Sequence, residues 1–136
     1  MQPQLYWYIH QLAFRLEKRI DDVLRKQLSI GFAQYKVLEA VGNNAQTKQN
    51  MVADMLHQTE ASISRQVKIL SGLDLLIVGT VMENKRAREL TLTEKGEKML
   101  LEGAGFIQEV QSAFFGKLNI EEQAALQQLI MRLQED

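Results

Sequence analysis

The side chains best placed to do chemistry in this chain lie between Thr59 and Thr93, a stretch that reads TEASISRQVKILSGLDLLIVGTVMENKRARELTLT. Ser62, Ser64, Arg65, Gln66 and Lys68 cluster near the N-terminal half of a helix that Thr59 is placed to cap. Ile63, Val67 and Leu70 recur at i, i+4 and i+7, so they define its apolar face. A short β-branched run, Leu75–Met82, follows, and Leu90-Thr91-Leu92 alternates after it. Between them Glu83-Asn84-Lys85-Arg86 is polar and turn-prone, which predicts a hairpin whose tip carries Lys85, Arg86 and Arg88. The chemistry on offer is charge and hydrogen bonding. An arginine such as Arg65 can grip a guanine edge with two donors. Serine hydroxyls and a helix N-terminus can meet phosphate. Gln66 either reads adenine or faces solvent. A helix followed by a basic-tipped hairpin suits the two grooves of duplex DNA. The plainer reading of the same residues is a solvated helix face and an ordinary charged hairpin.

Catalysis finds no support. The chain has no cysteine, which removes thiol nucleophiles, disulfides, zinc-thiolate sites and any cysteine redox switch. Its two histidines, His10 and His57, have no carboxylate or second histidine at metal-ligand spacing, so neither a metal nor another cofactor is expected. Glu121-Glu122 are better explained as first-turn carboxylates of a helix. Sixteen Lys and Arg against 17 Asp and Glu give a net charge of −1, so any attraction to nucleic acid has to be local.

The elements that would position these residues follow from periodicity. Leu5, Ile9, Leu12, Leu16, Ile20, Val23 and Leu24 form one face of a long helix over Pro3–Leu28, with Pro3 in its first turn. A second helix starts near Phe32 and stops at Gly42-Asn43-Asn44. Thr47 is expected to cap a short third helix, and Gln58-Thr59 to turn the chain into the fourth, a helix-turn-helix pattern. After the hairpin, Thr93 caps another long helix, and Asn119 with Glu122 has the spacing of a capping box before a last one. Gly103 and Gly105 sit inside the first of these two, where they suggest a close crossing or a kink. The apolar stripes of the first and last helices exceed what so small a core can cover, which points to a second copy about a two-fold axis. Tyr6, Trp7, Tyr8, His10 and Phe14 cluster on the first helix. They read plainly as core and dimer packing, or more sharply as a ligand-pocket wall to which Phe32 and Tyr35 contribute. No apolar run approaches the roughly 18 residues of a membrane span, and MQPQLYWYIHQ lacks the marks of a signal peptide, so a cytoplasmic protein without membrane contact is expected.

This arrangement resembles the MarR family of winged helix-turn-helix transcription regulators over essentially the whole chain. Thr59-Glu60-Ala61-Ser62-Ile63-Ser64-Arg65-Gln66-Val67 looks like the family's capped recognition-helix pattern. Asn84-Lys85-Arg86-Ala87 followed by Leu92-Thr93-Glu94-Lys95-Gly96 resembles its wing signature. The resemblance implies a mainly α fold with a small β-hairpin wing and long terminal dimerisation helices. Residues 1–136 would form one domain: 1–30 and 117–136 for dimerisation, 31–93 the winged helix-turn-helix, and 94–116 a long connecting helix. It further implies a homodimer on palindromic DNA, acting as a repressor, with its two recognition helices about 34 Å apart. Arg86 would enter the minor groove, Lys85 and Arg88 would meet phosphate, and a small aromatic or anionic effector would bind between dimerisation helices and DNA-binding lobe. The chain departs from the pattern at Asn84, where aspartate is usual, at Val78-Gly79, where arginine is frequent, and at Asp74, where glycine is usual. The recognition helices are therefore expected to carry more of the binding than the wings. A winged-helix protein-interaction module without DNA binding is the alternative.

Overall fold

Three packed helices and a small sheet enclose the core, and long helices extend from it. In the computed structural model the described residues are 4–44, 46–81 and 84–135, with the side chains of 81–87 outside the description. Helix α1 spans Leu5–Leu28, α2 Phe32–Gly42, α3 Gln49–Met55, α4 Glu60–Gly72, α5 Glu94–Phe115 and α6 Ile120–Gln134. Strands β1 (Thr47–Lys48), β2 (Leu76–Val81) and β3 (Asn84–Leu92) form an antiparallel sheet in the order β1-β3-β2. Pro3, expected in the first turn of α1, lies outside the described residues.

The core is drawn from every element around the helix-turn-helix. Leu24 of α1, Leu38 of α2, Val52 of α3, Ile63 and Leu70 of α4, Leu75 just before β2 and Leu90 of β3 are fully buried. Only the C-terminal half of α1 takes part, through Ile20 and Leu24. Its N-terminal half and α6 stay uncovered: Leu5, Tyr6, Ile9 and Phe14 on one, Ile120, Leu129 and Leu133 on the other, are exposed, and α6 buries no residue. Ile9, Leu12 and Leu16 of α1 line an apolar groove of about 510 Å³ with Phe115, Leu126 and Ile130. Among the described residues no helix is long and apolar enough to cross a membrane.

Two local expectations need correction. Thr47 does not cap α3; it is fully buried in β1, where it pairs with Leu90 of β3, and Lys48 takes the N-cap position without a side-chain bond. The competing interaction is long-range strand pairing, which a local capping pattern does not reveal. Tyr35 is not a pocket wall. Its ring is 1 % exposed in the core, and its hydroxyl donates to the Leu100 carbonyl of α5 at 2.7 Å. Gly103 explains the fit, since a Cβ there would collide with the Tyr35 ring. The glycine lets α5 press against the aromatic face, which accounts for one of the two helix-interior glycines. Gly105 meets no atom within 4 Å.

Burial pushes the Tyr35 phenol up to about 12, and the Glu39 charge adds to it. The folded chain therefore favours the neutral phenol. Stability from this site is complete below the ordinary value of 10.0 and is lost as pH rises towards about 12. Spectrophotometric titration of the native protein should show one tyrosine ionising near 12, and Tyr35→Phe should abolish that step.

The hinge between α1 and α2 is held by side chains. Asp21 of α1 accepts from the Phe32 N–H and from Arg25 Nε, both at 2.8 Å. Partial burial raises the Asp21 pKa, but those two bonds and the charges of Arg25 and Lys18 outweigh it and hold the carboxyl below its usual range. Gln34 accepts from the Gly31 N–H at 2.6 Å, so the first donors of α2 are met.

Candidate nucleic-acid interface

Helix α4 presents its polar side because its other side is locked. Ile63, Val67 and Leu70 are buried, and on the opposite side of the helix the stripe Ala61-Arg65-Lys68 faces solvent. The Thr59 hydroxyl accepts from the Ser62 N–H at 3.1 Å, as expected of the cap. Both ends of the helix-turn-helix close with a left-handed residue after the helix. His57, at φ 54°, follows α3, where Gln58 N–H bonds the Ala53 carbonyl at 3.0 Å. Asp74, at φ 62°, follows α4, where Leu75 N–H bonds the Leu70 carbonyl at 3.0 Å. In each case a second bond, His57 to Asp54 or Asp74 to Ser71, completes a Schellman motif. Leu75 and Leu70 are both fully buried, which supplies the apolar contact that accompanies this motif.

The predicted contact residues fall into three groups. Arg65 and Lys68 are exposed and form no ion pair among the described residues. Ser62, Ser64 and Gln66 are half-buried. Ser62 donates to Gln58 Oε1 at 2.9 Å, which leaves its hydroxyl oxygen to accept. The Gln66 carbonyl oxygen accepts from Gln34 Nε2 on α2 at 2.8 Å. Glu60 puts a negative charge in the first turn of α4, which weakens that N-terminus as a phosphate site.

The wing is present and differs from the expected hairpin in one respect. Strand β3 begins at Asn84, so the basic run belongs to the strand rather than to a turn. The register explains how it leaves the sheet. Thr80 pairs with Arg88, and the next residue, Val81, pairs with Asn84. One step on β2 thus spans four on β3, and Lys85, Arg86 and Ala87 fall outside the Cα pairing. Arg88 is exposed; the side chains of Lys85 and Arg86 lie outside the described residues.

The effector-pocket residues do not converge in one chain. Tyr6, Trp7, His10 and Phe14 are exposed on α1, Phe32 is half-buried at the start of α2 under Lys36 Nζ, and Tyr35 is core. Trp7 and His10 lie beside each other with ring centroids 6.1 Å apart. Among the described residues no group of three His, Asp or Glu side chains could hold a metal ion. Gln34 was not singled out in the sequence. The readable signal was a glutamine at the third helical position after Gly31, half of a capping box.

Six helices around a small antiparallel sheet, with the fourth helix exposed and followed by a wing, define a winged helix-turn-helix protein. The fold is that of the MarR family regulators. The structure superposes on the reduced form of MarR from Escherichia coli with a TM-score of 0.88 at 19 % identity, covering 99 % of this chain and 98 % of that one. A mutant MarR from E. coli complexed with operator DNA matches with a TM-score of 0.87 at 20 % identity over 96 % and 94 % of the two chains. BpsR of Bordetella bronchiseptica, whose DNA binding is regulated by 6-hydroxynicotinic acid, matches with a TM-score of 0.85 at 20 % identity over 98 % and 94 %. In sequence, the transcriptional regulator HosA of E. coli is 26 % identical over 100 residues, 74 % of each chain. No protein-family model matches the sequence.

Proposed function

We propose that this protein is a sequence-specific DNA-binding transcription regulator, a binding protein rather than an enzyme. It acts as a homodimer on a palindromic operator and represses transcription in the cytoplasm. The observation that carries this reading is α4, buried on Ile63, Val67 and Leu70 with Arg65 and Lys68 outward, in a fold shared with a regulator seen on its operator. Arg65, with Ser62 and Ser64, reads bases and backbone; Thr59, Gln66 and Lys68 support from the same helix. Arg86 anchors the wing, with Lys85 and Arg88 at phosphates. The uncovered stripes of α1 and α6 pack against a second copy, which places the two α4 helices about one DNA turn apart. A small aromatic or anionic effector would bind against Tyr6, Trp7, His10, Phe14 and Phe32 and favour a dimer with wrongly spaced α4 helices. DNA and effector would then weaken each other equally.

Selection of binding sites from random or genomic DNA by the purified protein tests the reading. Enrichment of an inverted repeat is the expected result, with log K falling against log salt by about 0.9 per phosphate neutralised. The net charge of −1 and the acidic Glu60 favour the alternative, a protein-interaction module. No enriched sequence, or a flat salt dependence, would decide for it.

A further inference from the structure

We infer that Gln34, on α2, fixes the hydrogen-bonding polarity of Gln66, and that Gln66 therefore meets the operator as a donor only. The inference rests on the DNA-binding reading of α4. Gln34 itself is a positioning residue.

The orientation is forced by one backbone donor. The Gly31 N–H can only donate, so the atom of Gln34 that lies 2.6 Å from it must be the carbonyl oxygen. Its amide nitrogen is then the group that faces Gln66, at 2.8 Å, and a nitrogen there needs an acceptor. Gln66 has to turn its oxygen inward. Its NH2 is left pointing away from Gln34, with no partner among the described residues. That NH2 is not sealed in, because the one buried, unpaired side-chain N or O atom among those residues is Gln49 Oε1. The clamp on α1 completes the arrangement, since Asp21 holds the neighbouring Phe32 N–H at 2.8 Å.

A glutamine free to use both amide atoms pairs with adenine, which offers one donor and one acceptor in the major groove. A glutamine that shows only NH2 prefers an edge made of acceptors, guanine N7 and O6 or thymine O4. Gln66 follows Arg65 by one residue and lies in the half of α4 that enters the groove. The operator should thus show, at one base pair in each half-site, a preference of roughly tenfold for an acceptor edge over a donor edge.

Two substitutions reverse the polarity without removing the contact. In Gln34→Glu, one carboxylate oxygen keeps the Gly31 N–H and the other demands a donor, so the Gln66 amide flips and shows its oxygen to DNA. In Gln66→Glu, one oxygen still accepts from Gln34 and the other faces outward as an acceptor. Site selection with wild type and both variants, on samples whose melting and dimer mass match, should move the preference at that one position from guanine or thymine to adenine or cytosine. Gln34→Leu should flatten it. A merely structural Gln34 would lower affinity for every sequence alike and leave the preferred base unchanged. If Gln34→Glu does not fold, Gln34→Leu decides: a base preference it leaves intact overturns the inference. Unchanged base preference in the folded variants overturns the inference while DNA binding stands; a wild type that selects no sequence removes the DNA-binding reading and the inference with it.

Discussion

Gly96→Ala should destabilise the folded chain by about 3 kcal/mol, the upper end of what overpacking costs, because the atom it meets belongs to the backbone. A Cβ at 96 would fall on the Leu75 carbonyl oxygen, with the Leu75 carbonyl carbon at 3.1 Å. That carbonyl cannot swing away, since it accepts from the Thr93 N–H at 3.1 Å. The surrounding bonds tie the same two segments together. The Thr93 hydroxyl donates to the Asp74 carbonyl at 2.7 Å and accepts from the Gly96 N–H at 2.9 Å, and Lys95 Nζ donates to the Leu73 carbonyl at 3.1 Å. Residues 73–75 follow α4, and residues 93–96 are the cap and first turn of α5. The joint is how the long helices would set the direction of α4, so the glycine in the Leu92-Thr93-Glu94-Lys95-Gly96 run has a steric reason. Urea unfolding of Gly96→Ala and Gly105→Ala compares the two directly. Gly105 has no neighbour within 4 Å, and alanine there should be neutral or stabilise by up to about 1 kcal/mol through helix propensity. A Gly96→Ala chain as stable as wild type would mean that the joint yields, and α4 would then not be rigidly coupled to α5.

The parts of this architecture that sequence reasoning reached are those encoded within a few residues. Thr59, Ile63, Val67 and Leu70 specify a capped helix with one buried side by spacing alone, and the Asn119–Glu122 capping box forms with bonds of 3.0 and 2.8 Å. The surplus of apolar surface on α1 and α6 was legible for the same reason. What escaped depends on partners distant in the chain. Thr47 looks like a cap until Leu90 of β3 is laid beside it. Tyr35 and Phe14 look alike as aromatic residues in helical stripes, yet one is core and the other exposed, because only α2 is enclosed by α4, α5 and the sheet. The turns after α3 and α4 were obscured by chemistry: His57 and Asp74 hold left-handed positions where glycine is the readable signal. Within the candidate interface, Arg65 and Lys68 stand exposed where spacing put them, and the bond of Gln66 to Gln34 on another helix is not readable from local sequence.

Arg65→Ala should weaken operator binding by about 2 kcal/mol, some thirtyfold, and relax selection at one base pair of each half-site. The Arg65 guanidinium forms no ion pair among the described residues. Its neighbours three and four residues away on α4 are Ala61, Ser62, Lys68 and Ile69, so no carboxylate on the same helix competes for it. Lys68, one turn on, should behave differently: Lys68→Ala weakens all sequences alike and lowers the salt slope by about one. The wing gives the contrast. Lys85, Arg86 and Ala87 leave the β2–β3 pairing, and the chain has Asn84 where a carboxylate would steady a neighbouring arginine. On the proposal that α4 carries more of the binding than the wing, Arg86→Ala should cost less than Arg65→Ala. Operator titrations of the three variants at two salt concentrations, with dimer mass checked for each, measure all of this at once. Arg86→Ala costing more than Arg65→Ala would shift the main anchor from α4 to the wing, and the spacing of the two α4 helices would then matter less to affinity than the reach of β3.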